Sequence, residues 1–364
     1  MAANDNYGTA AALAKYHESG GGVRGLVESG VTSVPPYFQF VAPAGIPGST
    51  KTTTFAIPAV DLSLPRAAIV SLVGQAARTC GIFHVTNHGV DAGAAVSAVR
   101  TFHELPLASR SPLYTVTPVG GVTYATNPEP AGKGAGGPIL PWRDSLRFLS
   151  PKPDFGRVPE VCRAALAGHR HCVEEFGKEM AGMLLAALGV GPERSLDVEA
   201  WVMACHYYPP CPEPERVLGA GEHTDPCVLT VLAQDDVGGL QFRLDGGDND
   251  DGAWVDVPPV AGALLVNIGD VLKLISNDEY KSVLHKVRSK SGQDARVSIA
   301  TLFNPPKGVD SDCLFGPLPE LVTAEKPARY RSFTMSEFFK SRAEFGHGRS
   351  ATERFRVADD VRAV

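Results

Sequence analysis

Residues 228–244, with the sequence VLTVLAQDDVGGLQFRL, contain two short apolar runs separated by a turn at Gly238 and Gly239. Apolar runs of this length between turn residues are typical of β-strands. Similar runs recur at residues 254–257, 263–268, 283–287 and 297–303. Many short strands in series favour a β-sandwich or a barrel for this half of the chain.

The preceding half is patterned differently. Apolar residues at three-to-four spacing predict helices at residues 67–80, 93–105 and 160–188, and short strands are predicted at 57–62 and 82–85. Helices first and strands second indicate an α+β protein, in which N-terminal helices flank a double-stranded β-helix, or jelly-roll, core. Glycine-rich residues 115–140 are predicted to lack regular structure, and His169 is expected on an exposed helix surface.

We therefore divide the chain into four regions. Residues 1–55 are an N-terminal lead-in, residues 56–200 a helix-rich region packed on the core, residues 201–310 the jelly-roll core, and residues 311–364 a C-terminal helical tail. The acidic stretch at residues 245–251 is predicted to be a solvated turn, because it lacks the pattern of an EF-hand calcium loop.

Composition excludes several classes of function. The 364 residues carry a net charge of −6 without a long basic block, so nucleic acid is not an expected partner. No run of eighteen apolar residues is present, so no membrane partner is expected. The seven cysteines are irregularly spaced and the N-terminus does not resemble a secretory signal. We therefore expect a reduced, cytoplasmic protein.

His223, Asp225 and His285 form a candidate metal site. His223 and Asp225 are two positions apart, so both project to the same face of an extended strand, and His285 could arrive from another strand. Two imidazoles and one carboxylate occupy one face of an octahedron around non-haem iron(II) and leave the other positions open for chemistry. The same three side chains could also hold zinc in a hydrolase.

Arg296 and Ser298 are also two positions apart and are predicted to face the interior of the barrel. A buried guanidinium is costly without an anionic partner, and a dicarboxylate would supply one. An internal salt bridge to an aspartate such as Asp270 is the alternative. A zinc hydrolase would leave Arg296 and Ser298 without a function.

Five motifs in order resemble the signature of the plant 2-oxoglutarate- and Fe(II)-dependent dioxygenases. They are HYYPPCP at 206–212, GEHTD at 221–225, GGLQ at 238–241, NIGD at 267–270 and YKSVLHKV at 280–287. The resemblance covers approximately residues 23–345. Within the family, GVRGLV at 22–27, VPPYF at 34–38 and WRDSL at 142–146 resemble the branch of aminocyclopropane-carboxylate-oxidase-like homologues, to which the benzoxazinoid-glucoside dioxygenase of grasses is similar.

The resemblance implies a monomeric oxidoreductase that hydroxylates, or otherwise oxidises, a small plant specialised metabolite or hormone-like compound. It implies Fe(II), 2-oxoglutarate and O2 as requirements, ascorbate as a reductant, and succinate and CO2 as products. The three candidate ligands would bind iron. Arg296 and Ser298 would bind the distal carboxylate of 2-oxoglutarate with help from the Tyr208 hydroxyl, while His206, where many relatives have Asn, has no assigned role.

Tyr124, Trp142 and Leu302 are candidates for the substrate pocket, because such pockets are mostly apolar and aromatic. Core packing is the alternative for Trp142. Two other functions remain open from the sequence. One is an aminocyclopropane-carboxylate oxidase that forms ethylene, and the other is a non-catalytic homologue that binds a small molecule.

Overall fold

The computed structural model describes residues 5–40, 55–126, 133–134, 137–149, 153–191, 194, 196–244, 252–305, 312–345 and 350–357. The helices in these ranges are α1 (Asp5–Glu18), α2 (Gly22–Glu28), α3 (Arg66–Thr79), α4 (Ala92–His103), α5 (Leu107–Arg110), α6 (Glu160–Ala187), α7 (Asp270–Ile275), α8 (Met335–Phe345) and α9 (Ser350–Glu353). The strands are β1 (Ala59–Asp61), β2 (Ile82–Thr86), β3 (Thr115–Val119), β4 (Val122–Ala125), β5 (Lys133–Gly134), β6 (Gly137–Pro138), β7 (Asp144–Leu149), β8 (Glu199–Tyr208), β9 (Leu218–His223), β10 (Leu229–Gln234), β11 (Leu240–Leu244), β12 (Ala253–Asp256), β13 (Leu264–Ile268), β14 (His285–Arg288) and β15 (Arg296–Asn304).

Two sheets build the jelly roll. The larger sheet has the strand order β1-β2-β13-β10-β15-β8-β7-β4-β3, and the smaller sheet has the order β12-β11-β14-β9. Strands β10, β13, β15 and β8 of the larger sheet pair antiparallel with their neighbours, as do all strands of the smaller sheet. The α+β jelly-roll prediction is confirmed.

The larger sheet takes strands from both sides of residue 200. Strand β2 pairs with β13, and β7 pairs with β8 through the register Leu146↔Cys205. Residues 56–200 therefore extend the sheet as well as covering it with helices. The division into four regions remains a prediction about organisation.

Helices α3, α4 and α6 cover the outer face of the larger sheet. The apolar stripe of α6, which includes Phe176, Met180 and Leu184, is buried in the main core. Fully burying each such side chain stabilises the fold by roughly 1.5–3 kcal/mol. At Gly177 a Cβ atom would lie 2.3 Å from the ring of Phe303, so glycine permits the close approach of α6 to β15.

Asp144 joins the lead-in to the larger sheet. Its buried carboxylate accepts hydrogen bonds from the backbone N–H groups of Val23 and Arg24, both at 2.9 Å, and from the Thr126 hydroxyl at 2.6 Å. It therefore satisfies two of the free N–H groups in the first turn of α2. Gly22, with φ +62°, is required there because a Cβ atom would lie 2.5 Å from the carboxylate. Two motifs that narrow the branch, at residues 22–27 and 142–146, are thus in direct contact.

Two predictions about secondary structure were wrong. Residues 115–140 contain the hairpin β3–β4, although residues 127–132 and 135–136 of that stretch lie outside the described residues. His169 is buried on α6, not exposed. The predicted turn at residues 245–251 also lies outside the described residues.

Candidate active site

The three candidate metal ligands meet between adjacent ends of β9 and β14. His223 and His285 are direct partners in the antiparallel register, and their ring centroids are 4.2 Å apart. Asp225 follows β9, and its Oδ1 lies 3.7 Å from Nε2 of His223 and 3.6 Å from Nε2 of His285. One ligand atom from each residue lies within 4.8 Å of the others. The structure therefore brings the three predicted ligands together.

Both imidazoles are oriented for a metal. Nδ1 of His223 lies 2.7 Å from the carbonyl oxygen of Gly221, and Nδ1 of His285 lies 3.2 Å from that of Val283. A carbonyl only accepts, so Nδ1 is the protonated nitrogen of each ring. Each Nε2 then presents a lone pair toward Asp225. Such hydrogen bonds fix the tautomer of metal-binding histidines, so the donor set fits a divalent metal ion.

Asp225 is held by neighbours on the larger sheet. Its Oδ2 accepts hydrogen bonds from the Thr230 hydroxyl at 2.7 Å and from the Asn267 side-chain amide at 2.6 Å. Burial raises the pKa of this carboxyl group, but the positive charge that His285 and His223 carry in their protonated form, together with the two hydrogen bonds, outweighs it, so in the metal-free protein the pKa lies below its ordinary value. Asp225 is therefore ionised at neutral pH and offers Oδ1 to a cation.

Thr224, which lies between His223 and Asp225, is held by a buried ion pair to which the C-terminal region contributes the arginine. Arg342 on α8 donates to Asp270 at 2.5 Å and to the Thr224 carbonyl oxygen at 2.7 Å. The Thr224 hydroxyl donates to the same carboxylate at 2.8 Å. Asp270 thus pairs with Arg342, so the alternative prediction of a salt bridge between Asp270 and Arg296 was wrong.

Arg296 and Ser298 lie side by side on β15, as the two-residue spacing predicted. Arg296 donates to the Ser298 hydroxyl at 3.0 Å and to the Gln234 side-chain oxygen at 2.9 Å, and its guanidinium lies 4.9 Å from the ring centroid of Tyr208. Its Nε is buried and has no hydrogen-bond partner among the described residues. A buried guanidinium bonded to neutral oxygens, with one donor left over, suits a ligand carboxylate.

A cavity of about 610 Å³ connects the ligands and the arginine between the two sheets. The side chains that line it alternate along the strands of the larger sheet, as expected for one face of each strand. They include Arg143, Ser145, Arg147 and Leu149 from β7 and the residue before it, Ala204, His206 and Tyr208 from β8, and Arg296, Ser298, Ala300 and Leu302 from β15. The smaller sheet contributes Ala220, His223, Leu240, His285 and Val287.

Of the three residues predicted for the substrate pocket, the structure places only Leu302 in the cavity lining. Tyr124 packs against Phe102 and accepts a hydrogen bond from Arg110 at 3.4 Å, on the opposite face of the larger sheet. Trp142 is fully buried in a separate core with Phe38. The prediction that Tyr124 and Trp142 line the pocket was therefore wrong. Tyr124 packs in the core between the sheet and the helices, and Trp142 packs in the core between the sheet and the lead-in.

Sequence reasoning missed several lining residues, notably Arg143, Arg147 and Trp201. Arg143 and Arg147 could have been found from the alternation of residues 143–149, in which every second side chain faces the cavity. That alternation can be used only once this stretch is recognised as a strand. His206, which had no predicted role, lines the cavity, and its Nδ1 lies 2.8 Å from the Ser145 hydroxyl. Burial, with smaller contributions from Arg143, Arg147 and Arg296, lowers the pKa of His206 well below its ordinary value.

Comparison with known proteins agrees with this geometry. Residues 201–305 match the 2OG-Fe(II) oxygenase superfamily, and residues 57–164 match the family described as non-haem dioxygenase in morphine synthesis N-terminal. The chain is 33% identical to 1-aminocyclopropane-1-carboxylate oxidase homolog 1 of Arabidopsis thaliana over 344 residues, which cover 90% of this chain and 91% of the relative. It is 32% identical to a probable 2-oxoacid dependent dioxygenase of the same plant, with 97% and 99% covered.

The chain belongs to the 2OG-Fe(II) oxygenase superfamily. It is therefore an oxidoreductase, a dioxygenase that uses Fe(II), 2-oxoglutarate and O2. This membership decides between the iron and zinc alternatives in favour of iron.

Solved structures of this superfamily share the fold. JOX2, crystallised with 2OG, Fe and JA, aligns with a TM-score of 0.75 and 29% identity over 93% of this chain and 98% of JOX2. The rice dioxygenase for auxin oxidation aligns with a TM-score of 0.66 and 26% identity over 83% of this chain and 100% of that protein. None of the described helices is both long and apolar enough to traverse a lipid bilayer.

Proposed function

We propose that this dioxygenase hydroxylates a small plant specialised metabolite or hormone-like compound inside the cavity between its two sheets. His223, Asp225 and His285 hold the iron, and Arg296, Ser298 and Tyr208 bind the distal carboxylate of 2-oxoglutarate. The observation that carries the proposal is the convergence of both sets of residues on one cavity. Monomeric state, cytoplasmic location and the use of ascorbate remain predictions.

The bound metal supplies the oxidising chemistry by which 2-oxoglutarate and O2 become succinate and CO2 while one oxygen atom enters a substrate C–H bond. The protein's own residues position the reactants. Arg296 neutralises and orients the distal carboxylate. The hydrogen bonds from Thr230 and Asn267 keep Oδ1 of Asp225 directed at the two imidazoles.

The relatives support a small organic substrate. JOX2 was crystallised with JA, and the rice protein is a dioxygenase for auxin oxidation. In this chain, Leu149, Val202 and Leu302 form an apolar wall of the cavity on neighbouring strands. Such a wall favours a substrate with an apolar body over a sugar or a nucleotide.

Substrate-stimulated turnover of 2-oxoglutarate tests the proposal. Purified protein would be incubated with Fe(II), ascorbate, 2-oxoglutarate and a panel of plant metabolites, and succinate and oxidised products would be measured by mass spectrometry. We expect succinate release in proportion to one hydroxylated product, and its loss in His223→Ala. Ethylene release from aminocyclopropane carboxylate would favour the oxidase alternative. Tight binding without any succinate release would favour the non-catalytic alternative.

A further inference from the structure

Strand β8 is irregular where it borders the cavity. In its pairing with β15, Val202 is the partner of Leu302, but the next paired residue is Ala200. Trp201 is therefore an extra residue, which forms a β-bulge. A regular strand would turn the side chains of Trp201 and Val202 to opposite faces of the sheet. In this chain both line the cavity, while Ala200 is buried in the main core. The bulge thus directs Trp201 toward the cavity.

Trp201 lies at the same level of the larger sheet as one of the metal ligands. Its neighbour Val202 is the partner of Leu302, and Leu302 is the partner of Thr230. The Thr230 hydroxyl donates to Asp225. Because only β15 separates β8 from β10, this row extends about 10 Å from Thr230 to Val202. A small organic molecule can therefore contact Trp201 while one of its C–H bonds lies near the metal ligands.

The residues proposed to bind 2-oxoglutarate lie farther along the strands. Arg296 is six positions before Leu302 on β15, which corresponds to about 20 Å between Cα atoms. In the proposed function, 2-oxoglutarate extends from Arg296 to the metal. The row that contains Trp201 is therefore separate from the cosubstrate, and the organic substrate is the component that remains to occupy it.

The indole ring of Trp201 is supported by the C-terminal region. Its ring centroid lies 4.9 Å from that of Phe339 on α8, at an interplanar angle of 34°. Arg342, three positions later on this helix, donates to the Thr224 carbonyl oxygen. Residues three apart share a helix face, so one face of α8 contacts both Trp201 and the segment of the metal ligands. Trp201 is nevertheless only partly buried, so part of its side chain remains accessible to a ligand.

The lining beside Trp201 is apolar. Leu149, Val202 and Leu302 form the apolar wall in the adjoining row, and Pro226 also lines the cavity. Such a wall accepts any apolar group of suitable size, because the hydrophobic effect has no directional preference. An indole ring adds a preference, since two aromatic rings in offset or edge-to-face contact attract each other beyond the burial of their area. Trp201 therefore distinguishes flat aromatic groups from saturated ones.

We propose that Trp201 is a specificity-determining residue that contacts the organic substrate, and that the preferred substrates carry an aromatic ring between Trp201 and the wall of Leu149, Val202 and Leu302. This inference rests on the proposed function and narrows its substrate class. It also gives the β-bulge a purpose, because a regular strand would place this indole on the core face of the sheet.

Tryptophan fluorescence tests the contact, because the three tryptophans of the chain have different surroundings. Trp142 is fully buried in a separate core, and Trp254 lies beneath Lys286 on the outer face of the smaller sheet. The protein is loaded with Zn(II), which has no redox chemistry, and with 2-oxoglutarate. We expect 3-phenylpropan-1-ol and 5-phenylpentan-1-ol to reduce quenching by acrylamide in the wild type and in Trp254→Phe. In Trp201→Phe the two alcohols should leave the quenching unchanged.

Calorimetry on the same loaded protein measures the preference for an aromatic ring. Each phenyl alcohol is compared with its saturated analogue, 3-cyclohexylpropan-1-ol or 5-cyclohexylpentan-1-ol, so that no probe carries a charge. Loss of one aromatic pair in Trp201→Leu should lower the ratio of phenyl to cyclohexyl affinity by about two- to tenfold. Trp201→Phe should keep most of the ratio, and the matched control Trp254→Leu should not change it.

The outcomes separate this inference from a structural role and from the proposed function. A Trp201 that only packs against Phe339 would lower the stability of Trp201→Leu without changing the ratio, and the inference would be wrong. It is also wrong if the wild type binds none of the probes, or if their protection from acrylamide persists in Trp201→Phe. Every variant must bind 2-oxoglutarate as the wild type does, and if Trp201→Leu does not, the fluorescence of Trp201→Phe decides. Absence of 2-oxoglutarate binding in the wild type would contradict the proposed function, and this inference with it.

Discussion

The metal end and the arginine end of the cavity differ in how their polar groups are satisfied. At the metal end, His223 and His285 donate Nδ1–H to backbone carbonyls, and Oδ2 of Asp225 receives two hydrogen bonds. At the arginine end, Arg296 contacts neutral oxygens and keeps one buried donor without a described partner. The metal end is organised by the protein itself, whereas the arginine end leaves a donor that, in our proposal, the distal carboxylate of 2-oxoglutarate takes up.

Removal of a ligand at the metal end should have the largest effect. Asp225→Ala takes away the ionised oxygen between the two imidazoles, so we expect no measurable iron-dependent succinate release. The protein should remain folded by circular dichroism. Glu222→Ala is the matched control, since this neighbour is half exposed and pairs with Lys286 outside the ligand set. Iron-dependent turnover in Asp225→Ala would show that Asp225 is not a ligand of the iron.

Loss of the buried ion pair between Arg342 and Asp270 should have the second-largest effect, and this effect should be on stability. Arg342→Met leaves the carboxylate of Asp270 buried without its cation, and both side chains are less than 5% exposed. We expect the free energy of unfolding to fall by about 3–5 kcal/mol in urea titrations. The iron requirement should rise, because the Thr224 carbonyl oxygen loses its hydrogen bond from Arg342. Arg354→Met, in a half-exposed pair with Glu344, should cost no more than about 1 kcal/mol. Equal losses of unfolding free energy in the two variants would show that the buried pair does not stabilise the metal end more than a surface pair stabilises its surroundings.

At the arginine end, loss of a charge should alter ligand binding and leave the fold intact. Arg296→Leu removes the guanidinium for the distal carboxylate, so the KM for 2-oxoglutarate should rise by about a hundredfold, the upper range for a charged hydrogen bond. The midpoint of thermal unfolding without ligand should change little or rise, because a buried charge has been removed. An unchanged KM would place the 2-oxoglutarate carboxylate elsewhere in the cavity.

His206 should give the smallest effect. Because burial keeps its pKa well below the ordinary value, the ring is neutral at neutral pH and adds no charge for 2-oxoglutarate. His206→Asn should therefore change the KM by no more than about tenfold, the upper range for one neutral hydrogen bond such as that with Ser145.

The pH dependence of stability tests whether His206 is buried and neutral. Below its ordinary pKa of about 6.5, His206 takes up a proton more readily in the unfolded chain, so it destabilises the wild type as the pH falls. Asn does not titrate. Urea titrations at pH 7 and pH 5 should therefore show a smaller loss of stability in His206→Asn, and an equal loss in both proteins would mean that His206 is not buried and neutral.

The sequence was most informative where function imposed a short, regular spacing. His223 and Asp225, like Arg296 and Ser298, are two positions apart, and this spacing on a strand fixes a shared face whatever the rest of the fold does. His285 could be added because the antiparallel register of a barrel brings distant segments together. The prediction of helices at residues 67–80 and 160–188 was accurate within one or two residues for a similar reason, since long amphipathic patterns are unambiguous.

The residues that line the pocket were harder to predict. They were chosen by residue type, whereas the register of the strands decides which side chains face the cavity. Trp142 and Tyr124 are aromatic, but they point into the cores behind the sheet. Arg143, Ser145 and Arg147, which face the cavity from β7 and the position before it, are polar or charged and stand in a stretch without an apolar run. The burial of Asp144 depends on Val23 and Arg24, which are more than a hundred positions away in the chain. No local pattern could have indicated that contact.

The hydrogen bonds between Asp144 and α2 have a practical consequence for engineering this enzyme. Alternate residues of β7 serve separate purposes, because 144, 146 and 148 hold the lead-in and the core while 143, 145, 147 and 149 touch the ligand space. Libraries restricted to the odd-numbered positions would sample new substrate preferences on an undisturbed scaffold. Changes at position 144 would instead loosen the attachment of residues 22–28, and changes at positions 146 and 148 would disturb the main core.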